Sequence, residues 1–194
     1  MKKQPKITEK TQKNLIDAFL SLNKEQEIQK ITINNICKLA NYNRSTFYQY
    51  FSDIYELRNF IENSLLNNLN ALLKTYLNKM LSENYLNYFL DFYSKNAEAF
   101  LTLLGRNGNP AFYKKIKDSI KPTIFSAFSI DSSIIECGYI VEVTMSAMIN
   151  TITYWFENEK NLSKQQLSQL LYSIISDSII PLLKNVPFRP ISNK

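Results

Sequence analysis

Apolar residues recur every three or four positions along most of this chain, which is the spacing of one face of an α-helix. The first such segment runs from about Thr8 to Leu22, where Leu15, Phe19 and Leu20 are separated by polar residues. Similar segments follow as far as Pro181. The tight turns of sandwiches and barrels call on glycine, and the chain has only 3 glycines. The pattern therefore predicts an all-α fold of about nine helices.

Two short helices with a three-residue turn are predicted between residues 32 and 51. Thr32 suits the N-cap of the first helix, because its hydroxyl can accept from an N–H in the first turn. Asn41 suits the end of that helix, since Asn tolerates the left-handed conformation, and Asn43 suits the N-cap of the second. Phe47 and Phe51 lie four residues apart and are expected to face inward.

A short helix pair of this kind is the architecture of helix-turn-helix DNA readers. The second helix must be small enough to enter the major groove and must present polar side chains outward. The residues expected to face DNA are Arg44, Ser45, Thr46, Tyr48, Gln49 and Tyr50.

The charge of the chain is concentrated near its N-terminus. The formal net charge is +6, and residues 1–51 contain nine Lys/Arg against four Asp/Glu, a balance of +5. Such a segment favours phosphate binding, because neutralising phosphates releases condensed counterions. A solvated lysine-rich tail explains the first three lysines equally well.

The stretch from Asn43 to Leu57 resembles the tetracycline-repressor (TetR) family of bacterial regulators. The strong resemblance covers roughly residues 8–62. The sequence departs from the family pattern in two places: Asn41 and Tyr42 stand where the family commonly has Gly and Val, and Ile54 stands where it commonly has Lys. Ile54 implies that one phosphate contact is missing. The matching residues are Thr32, Ile36, Ala40, Thr46, Phe47, Tyr48, Phe51, Asp53, Glu56 and Leu57.

The resemblance implies roles for these side chains. Thr32 and Thr46 would bond phosphates, while Tyr48 and Tyr50 would touch the backbone or base methyl groups. Arg44, Ser45 and Gln49 are the candidates for reading bases, since Arg pairs with guanine and Gln with adenine. The alternatives are that Tyr48 packs in an aromatic cluster with Phe51 and that Arg44 is a solvated cap residue.

By the same resemblance, aromatic residues and a methionine in the C-terminal part would line an effector cavity. Pockets are mostly apolar, so we expect a small apolar or aromatic effector. The alternative is that these side chains only fill a core. The candidates are Tyr85, Phe89, Phe92, Phe100, Phe112, Phe125, Met148 and Trp155.

The last two long helices carry apolar residues on more faces than one inward stripe requires, which indicates a partner surface. The resemblance implies a homodimer whose two heads read a near-palindromic operator one helical turn apart. The predicted interface residues are Ile134, Ile135, Val141, Met145, Ile149, Ile152, Leu167, Leu170, Leu171, Ile174 and Ile175.

We expect a helix-turn-helix domain over residues 1–51, a connecting helix from about residue 52, an effector-binding and dimerisation domain over 52–185, and a flexible tail over 186–194. An effector would tilt the connecting helix and change the spacing of the DNA-reading heads. The resemblance implies repression, and activation is the alternative.

Other function classes are less well supported. The chain has no histidine, no glycine-rich phosphate loop and no metal-spaced ligands, so we expect no cofactor, no metal and no enzyme. Its longest uncharged apolar stretch, Val143–Phe156, is too short for a membrane span, and no signal peptide is evident, so a cytoplasmic protein is expected. A helical adaptor that binds only protein stays an alternative.

Overall fold

A computed structural model of the chain describes residues 5–76, 83–158 and 160–185. The described part is helical and contains no strand, which confirms the all-α prediction. The helices are α1 (Pro5–Glu25), α2 (Ile33–Ala40), α3 (Arg44–Phe47), α4 (Ile54–Tyr76), α5 (Glu83–Lys95), α6 (Ala97–Leu104), α7 (Pro110–Ala127), α8 (Ile135–Glu157), α9 (Lys164–Ile174) and α10 (Ile180–Asn185). A 3₁₀ turn, Ile28–Lys30, precedes α2, and a π-helical segment, Ile175–Ile179, joins α9 to α10.

Helices α9 and α10 and the π segment between them form one continuous helix. When these three are counted as one, the described residues form nine α-helices, as predicted. The sequence pattern predicted that the last helical segment ends at Pro181. This is wrong, because α10 continues to Asn185. Pro181 lies inside this continuous helix, two residues after the π segment, and its missing N–H removes one backbone hydrogen bond there. Helix α7 runs through Pro122. The predicted tail, 186–194, lies outside the described residues.

The Cα positions divide the chain into two compact units, Met1–Asn67 with Asn96–Tyr113 and Asn68–Lys95 with Lys114–Lys194. Helices α4 and α7 each contribute residues to both units. In the first unit, α1 packs against α2 and α6, and α2 packs against α3. The fully buried side chains at its centre include Leu15, Phe19, Ile36, Phe47, Leu57, Leu103 and Phe112.

The turn between α6 and α7 is held to the helices of the first unit by asparagines. The Asn107 side chain donates to the carbonyl of Lys24 at 3.0 Å, and Asn23 donates to the carbonyl of Asn107 at 3.0 Å. Gly108 fits this turn because a Cβ at that position would lie 2.1 Å from the Leu103 carbonyl oxygen. Short polar side chains thus anchor a segment distant in sequence beside α1.

The second unit has its own interior. Helix α5 packs against α9, and α8 contacts the π segment and α10. Leu90, Ile152 and Leu167 are almost completely buried there. On the surface, the Lys164 ammonium donates to Asp91 at 2.7 Å, so a charge pair also joins α9 to α5.

Candidate DNA-binding surface and ligand cavity

The predicted helix-turn-helix forms through local capping interactions. The Thr32 hydroxyl accepts from the Asn35 N–H at 3.1 Å, and the Asn35 side chain accepts from the Thr32 N–H, which completes a capping box at the start of α2. Asn41 has φ 60° and ψ 46°, the predicted left-handed cap. Asn43 occupies the N-cap position of α3, but its side chain makes no capping hydrogen bond.

Regular α-helix in α3 ends at Phe47, yet helical hydrogen bonding continues further. The Tyr50 and Phe51 N–H groups both donate to the Phe47 carbonyl, at 2.9 and 3.0 Å. Phe47 and Phe51 are buried, as predicted, with ring centroids 5.8 Å apart. These two rings hold residues 44–51 against the rest of the first unit. We call residues 44–51 the recognition segment.

The outer face of the recognition segment carries the predicted DNA-facing side chains. Arg44, Ser45 and Gln49 are exposed, and Tyr48 is 51% exposed, which argues against Tyr48 as a core residue. Thr46 and Tyr50 are half-buried. Thr32, at the start of α2, is exposed as well. The structure therefore leaves these positions accessible, and their contacts with DNA stay a prediction.

Arg44 and Tyr48 form a pair one helical turn apart. The Arg44 guanidinium donates to the Tyr48 hydroxyl at 3.2 Å and lies 5.9 Å from the centre of its ring. This hydrogen bond raises the pKa of Arg44 above its ordinary value, so the guanidinium stays charged. The pair presents a cation and an aromatic ring side by side, a combination suited to a base edge and a neighbouring phosphate.

The N-terminus of α4 follows directly and is capped by carboxylates. The Asp53 side chain accepts from the Glu56 N–H at 2.7 Å, and the Glu56 carboxylate accepts from the Ser52 N–H at 2.5 Å. The hydrogen bond to Ser52 lowers the pKa of Glu56 below its ordinary value. These contacts fix where the connecting helix begins.

A buried carboxylate further along α4 escaped the sequence analysis. Glu62 is 0% exposed, accepts from the Asn109 side chain at 2.7 Å, and has Arg58 Nε 3.5 Å away. Glu62 directly follows Ile61 and precedes Leu65 by three residues, so an acid interrupts an apolar stretch of the helix, and this was the available signal. Through Asn109, Glu62 links α4 to the residue that precedes α7.

The second unit encloses an apolar cavity of about 340 Å³, within the range of small-molecule sites. Three of the predicted cavity residues, Tyr85, Phe89 and Met148, line it. The other lining residues are Leu73, Leu86, Ile120, Ile124, Phe128, Val141, Thr144, Met145, Ile149, Tyr172, Ile175, Ser176, Ile179, Ile180 and Leu183.

The other five predicted cavity residues are not among its lining residues. Phe100 and Phe112 are buried in the first unit. Trp155 is buried near the end of α8, where its indole N–H donates to the Leu162 carbonyl at 2.7 Å. Phe92 and Phe125 are half-buried elsewhere in the second unit. Helical spacing identifies all five as apolar positions, but it does not predict whether a side chain lies in a core or lines a cavity.

Most of the predicted dimer-interface residues point into the protomer. Ile134 and Ile175 are half-buried, whereas Ile135, Leu170 and Ile174 are exposed. The buried ones are Val141, Met145, Ile149, Ile152, Leu167 and Leu171. Of the predicted set, Val141, Met145, Ile149 and Ile175 line the cavity.

Helix α8 carries four large exposed apolar residues, of which Ile135 was in the predicted interface set and Tyr139, Val143 and Tyr154 were not. Tyr139, Val143 and Tyr154 are 72%, 62% and 62% exposed, and Ile135 is 57% exposed. Successive members, Ile135, Tyr139, Val143 and Tyr154, are 4, 4 and 11 residues apart, so they lie on one side of α8. We call these four residues the apolar stripe. The sequence signal was present, because α8 is apolar on more than one face.

Two further searches of the described residues bear on the site. No group of three or more His, Cys, Asp or Glu side chains there could hold a metal ion. In the same part of the chain, no helix combines the length and the hydropathy needed to cross a bilayer.

Comparisons with known proteins agree with this fold. Residues 82–177 match a TetR-type family model described as the transcriptional regulator C-terminal region. No curated protein matches the sequence of the chain.

Several solved structures resemble the chain in fold. A TetR transcriptional regulator from Streptococcus agalactiae is 22% identical, with a TM-score of 0.62, and the match covers 88% of this chain and 96% of that one. A TetR-family regulator from Streptomyces coelicolor is 16% identical, with a TM-score of 0.58 and coverage of 89% and 88%. The fatty acid degradation regulator FadR from Bacillus halodurans is 15% identical, with a TM-score of 0.62 and coverage of 97% and 100%.

The C-terminal family match and the fold of the whole described chain lead to the same conclusion. This fold supports a DNA-binding regulator. Residues 82–177 match the C-terminal region of TetR-type regulators, and the chain has the fold of TetR-family transcriptional regulators.

Proposed function

We propose that the protein is a ligand-responsive repressor that binds a near-palindromic operator as a homodimer through its recognition segment. One observation carries the proposal. Arg44, Tyr48 and Gln49 are exposed on a segment that Phe47 and Phe51 hold from the inside. An accessible polar face on a rigid support is what major-groove reading requires.

Each exposed side chain suits one kind of DNA contact. Arg44 can pair with the O6 and N7 atoms of guanine, and Gln49 with the N6 and N7 atoms of adenine. Tyr48 and Thr32 suit phosphate oxygens, which position the protein without specifying sequence. The positive balance of residues 1–51 adds attraction for any duplex.

The apolar stripe supports the homodimer. Tyr139 and Val143 expose large apolar areas that a partner would cover. A two-fold axis through this stripe would bring the same surface of each protomer together. Two recognition segments about 34 Å apart would then read half-sites one helical turn apart.

Helix α4 is the element through which a ligand would act. Its residue Leu73 lines the cavity, while its first residues follow the recognition segment. A ligand that binds one orientation of α4 more tightly than another would shift the balance between DNA-binding and released states.

Selection of bound duplexes from random DNA, followed by fluorescence anisotropy at several salt concentrations, tests the proposal. We expect enrichment of a two-fold symmetric sequence and a steep fall of log K with log salt concentration. Arg44→Ala should cost about 1–3 kcal/mol of discrimination at one base pair of each half-site. If Arg44 binds phosphate instead, the salt slope should fall by about 1 without loss of discrimination.

Lys114→Ala is the matched control, because it removes one positive charge from an exposed site in α7 that pairs with Asp118. It should leave both discrimination and salt slope unchanged. If the selection enriches no sequence and binding to duplex DNA does not depend on salt concentration, the proposal is wrong. The protein would then be interpreted as a protein-binding adaptor.

A further inference from the structure

The cavity of the second unit has walls without charge. None of the described residues that line it is acidic or basic, and its polar side chains are Tyr85, Thr144, Tyr172 and Ser176. A carboxylate or ammonium group placed here would lose hydration without meeting an opposite charge. The walls therefore favour an uncharged ligand.

Two of the hydroxyl groups in the cavity walls already form hydrogen bonds within the protein. Thr144 donates to the Ile140 carbonyl at 2.7 Å within α8. The Ser176 hydroxyl lies 2.6 Å from Asp177 Oδ1 and 3.4 Å from the Ser173 carbonyl. Each hydroxyl donates its one hydrogen within the protein, so neither has a hydrogen left to donate to a ligand acceptor.

Tyr85 differs from these two. The residue is 7% exposed, and its hydroxyl is buried without a hydrogen-bond partner among the described residues. Burial raises the pKa of Tyr85 far above its ordinary value, so the group stays a protonated donor at any physiological pH. A buried hydroxyl without a partner destabilises the empty protein, and a ligand acceptor would remove that penalty.

The π-helical segment forms another part of the wall. Ile175, Ser176 and Ile179 of this segment line the cavity, and the Ile180 N–H donates to the Ile175 carbonyl five residues back. π-helical turns are rare and occur frequently at functional sites. The irregular wall is a second indication that this space is a binding site.

We propose that the cavity binds an uncharged, mainly aliphatic molecule with one hydrogen-bond acceptor, such as an ester or ketone oxygen, to which the Tyr85 hydroxyl donates. The regulatory meaning of this ligand rests on the proposed function, whereas its binding does not. The aliphatic part would contact the Leu, Ile and Met side chains of the walls.

Calorimetric titration of the full chain, without DNA, tests the inference with two probes of equal chain length. Methyl decanoate is neutral and carries an ester acceptor, and decanoate is its charged counterpart. We expect the ester to bind at least about tenfold more tightly than the carboxylate. Tyr85→Phe should weaken ester binding roughly three- to tenfold, because one neutral hydrogen bond is lost.

Tyr85→Phe has a second expected effect, of opposite sign. Removing an unpaired buried hydroxyl should raise the unfolding temperature of the empty protein. Tyr93→Phe is the control, since it deletes a buried tyrosine hydroxyl that lies outside the cavity lining and is hydrogen-bonded to Thr153 at 3.0 Å, and it should leave the affinity for the ester within about twofold of the wild type.

Decanoate binding as tightly as the ester, binding of neither probe, or equal ester affinity in the wild type and Tyr85→Phe would each overturn the inference. Operator binding measured separately distinguishes the two proposals. A chain that binds its operator but shows no ester preference disproves only the ligand class, and a chain that binds the ester but no operator disproves only the proposed function.

Discussion

Asn41 shows how a single residue sets the geometry of the turn that leads into the recognition segment. It is one of three non-glycine residues with positive φ in the described chain, and it lies in the turn between α2 and α3. Its N–H donates to the Lys38 carbonyl at 3.3 Å, which closes the end of α2. The family pattern has glycine in this turn, and Asn meets the same conformational requirement.

Asn41→Ala should therefore destabilise the protein by about 1 kcal/mol, because alanine pays the full steric cost of the left-handed conformation. Asn41→Gly should leave the free energy of unfolding unchanged or slightly higher. Urea denaturation measures both. Asn43→Ala is the control, as Asn43 has φ −82° and makes no capping bond through its side chain. Equal losses in Asn41→Ala and Asn41→Gly would show that φ is not the cause.

Among the helices, α4 illustrates what capping chemistry decides. The sequence analysis placed its start at about residue 52, and in the structure the Asp53 side chain accepts from the Glu56 N–H. The Glu56 carboxylate accepts in turn from the Ser52 N–H. The start of the helix thus depends on two ionised side chains, and the pKa of Glu56 is lowered accordingly.

The sign of the resulting pH dependence follows from that shift. A carboxyl group whose pKa is lower in the folded state stabilises the fold fully above its ordinary value, 4.5 for Glu56, and loses this contribution as the pH falls through the folded pKa. Glu56→Gln should unfold at a lower temperature than the wild type at neutral pH, and the difference should shrink in acid. Thermal melts across this pH range measure the difference.

Glu25→Gln is the matched control, since Glu25 is an exposed acid at the end of α1. Its melting temperature should follow that of the wild type at each pH. A Glu56→Gln deficit that stays constant from neutral to acid pH would mean that the charge on Glu56 is not what stabilises α4.

For the whole molecule, the question is what covers the apolar stripe. Some residues predicted for the dimer interface, such as Val141 and Met145, are buried within the protomer. Tyr139 and Val143 are exposed instead. A homodimer would bury the latter pair. If the operator requires two recognition segments at once, then DNA affinity depends on this distant surface.

Val143→Asp should convert the proposed dimer to a monomer, because a carboxylate in an apolar interface would be desolvated without a partner. Operator affinity should fall with it, while the melting temperature of the protomer changes little. Light scattering with anisotropy on the same samples measures both. Ser126→Asp, which adds a charge at an exposed position of α7, should stay dimeric. A wild type that is monomeric at micromolar concentration would contradict the homodimer.

The sequence by itself determined the local features of this protein. The cap at Thr32, the turn at Asn41 and the inward faces of Phe47 and Phe51 all depend on residues within a few positions of one another. Side-chain to backbone hydrogen bonds and helical periodicity act over that distance, so a single sequence reveals them.

The tertiary structure alone decided which apolar residue faces which environment. Phe100 lies in a core, Met148 at a cavity wall and Tyr139 on the surface, although all three occur in apolar helical patterns. Burial of apolar area has no direction, and periodicity does not distinguish a core from a cavity or a partner surface. The same limit hid the hydrogen bond between Glu62 and Asn109, because it joins residues that only the fold brings together.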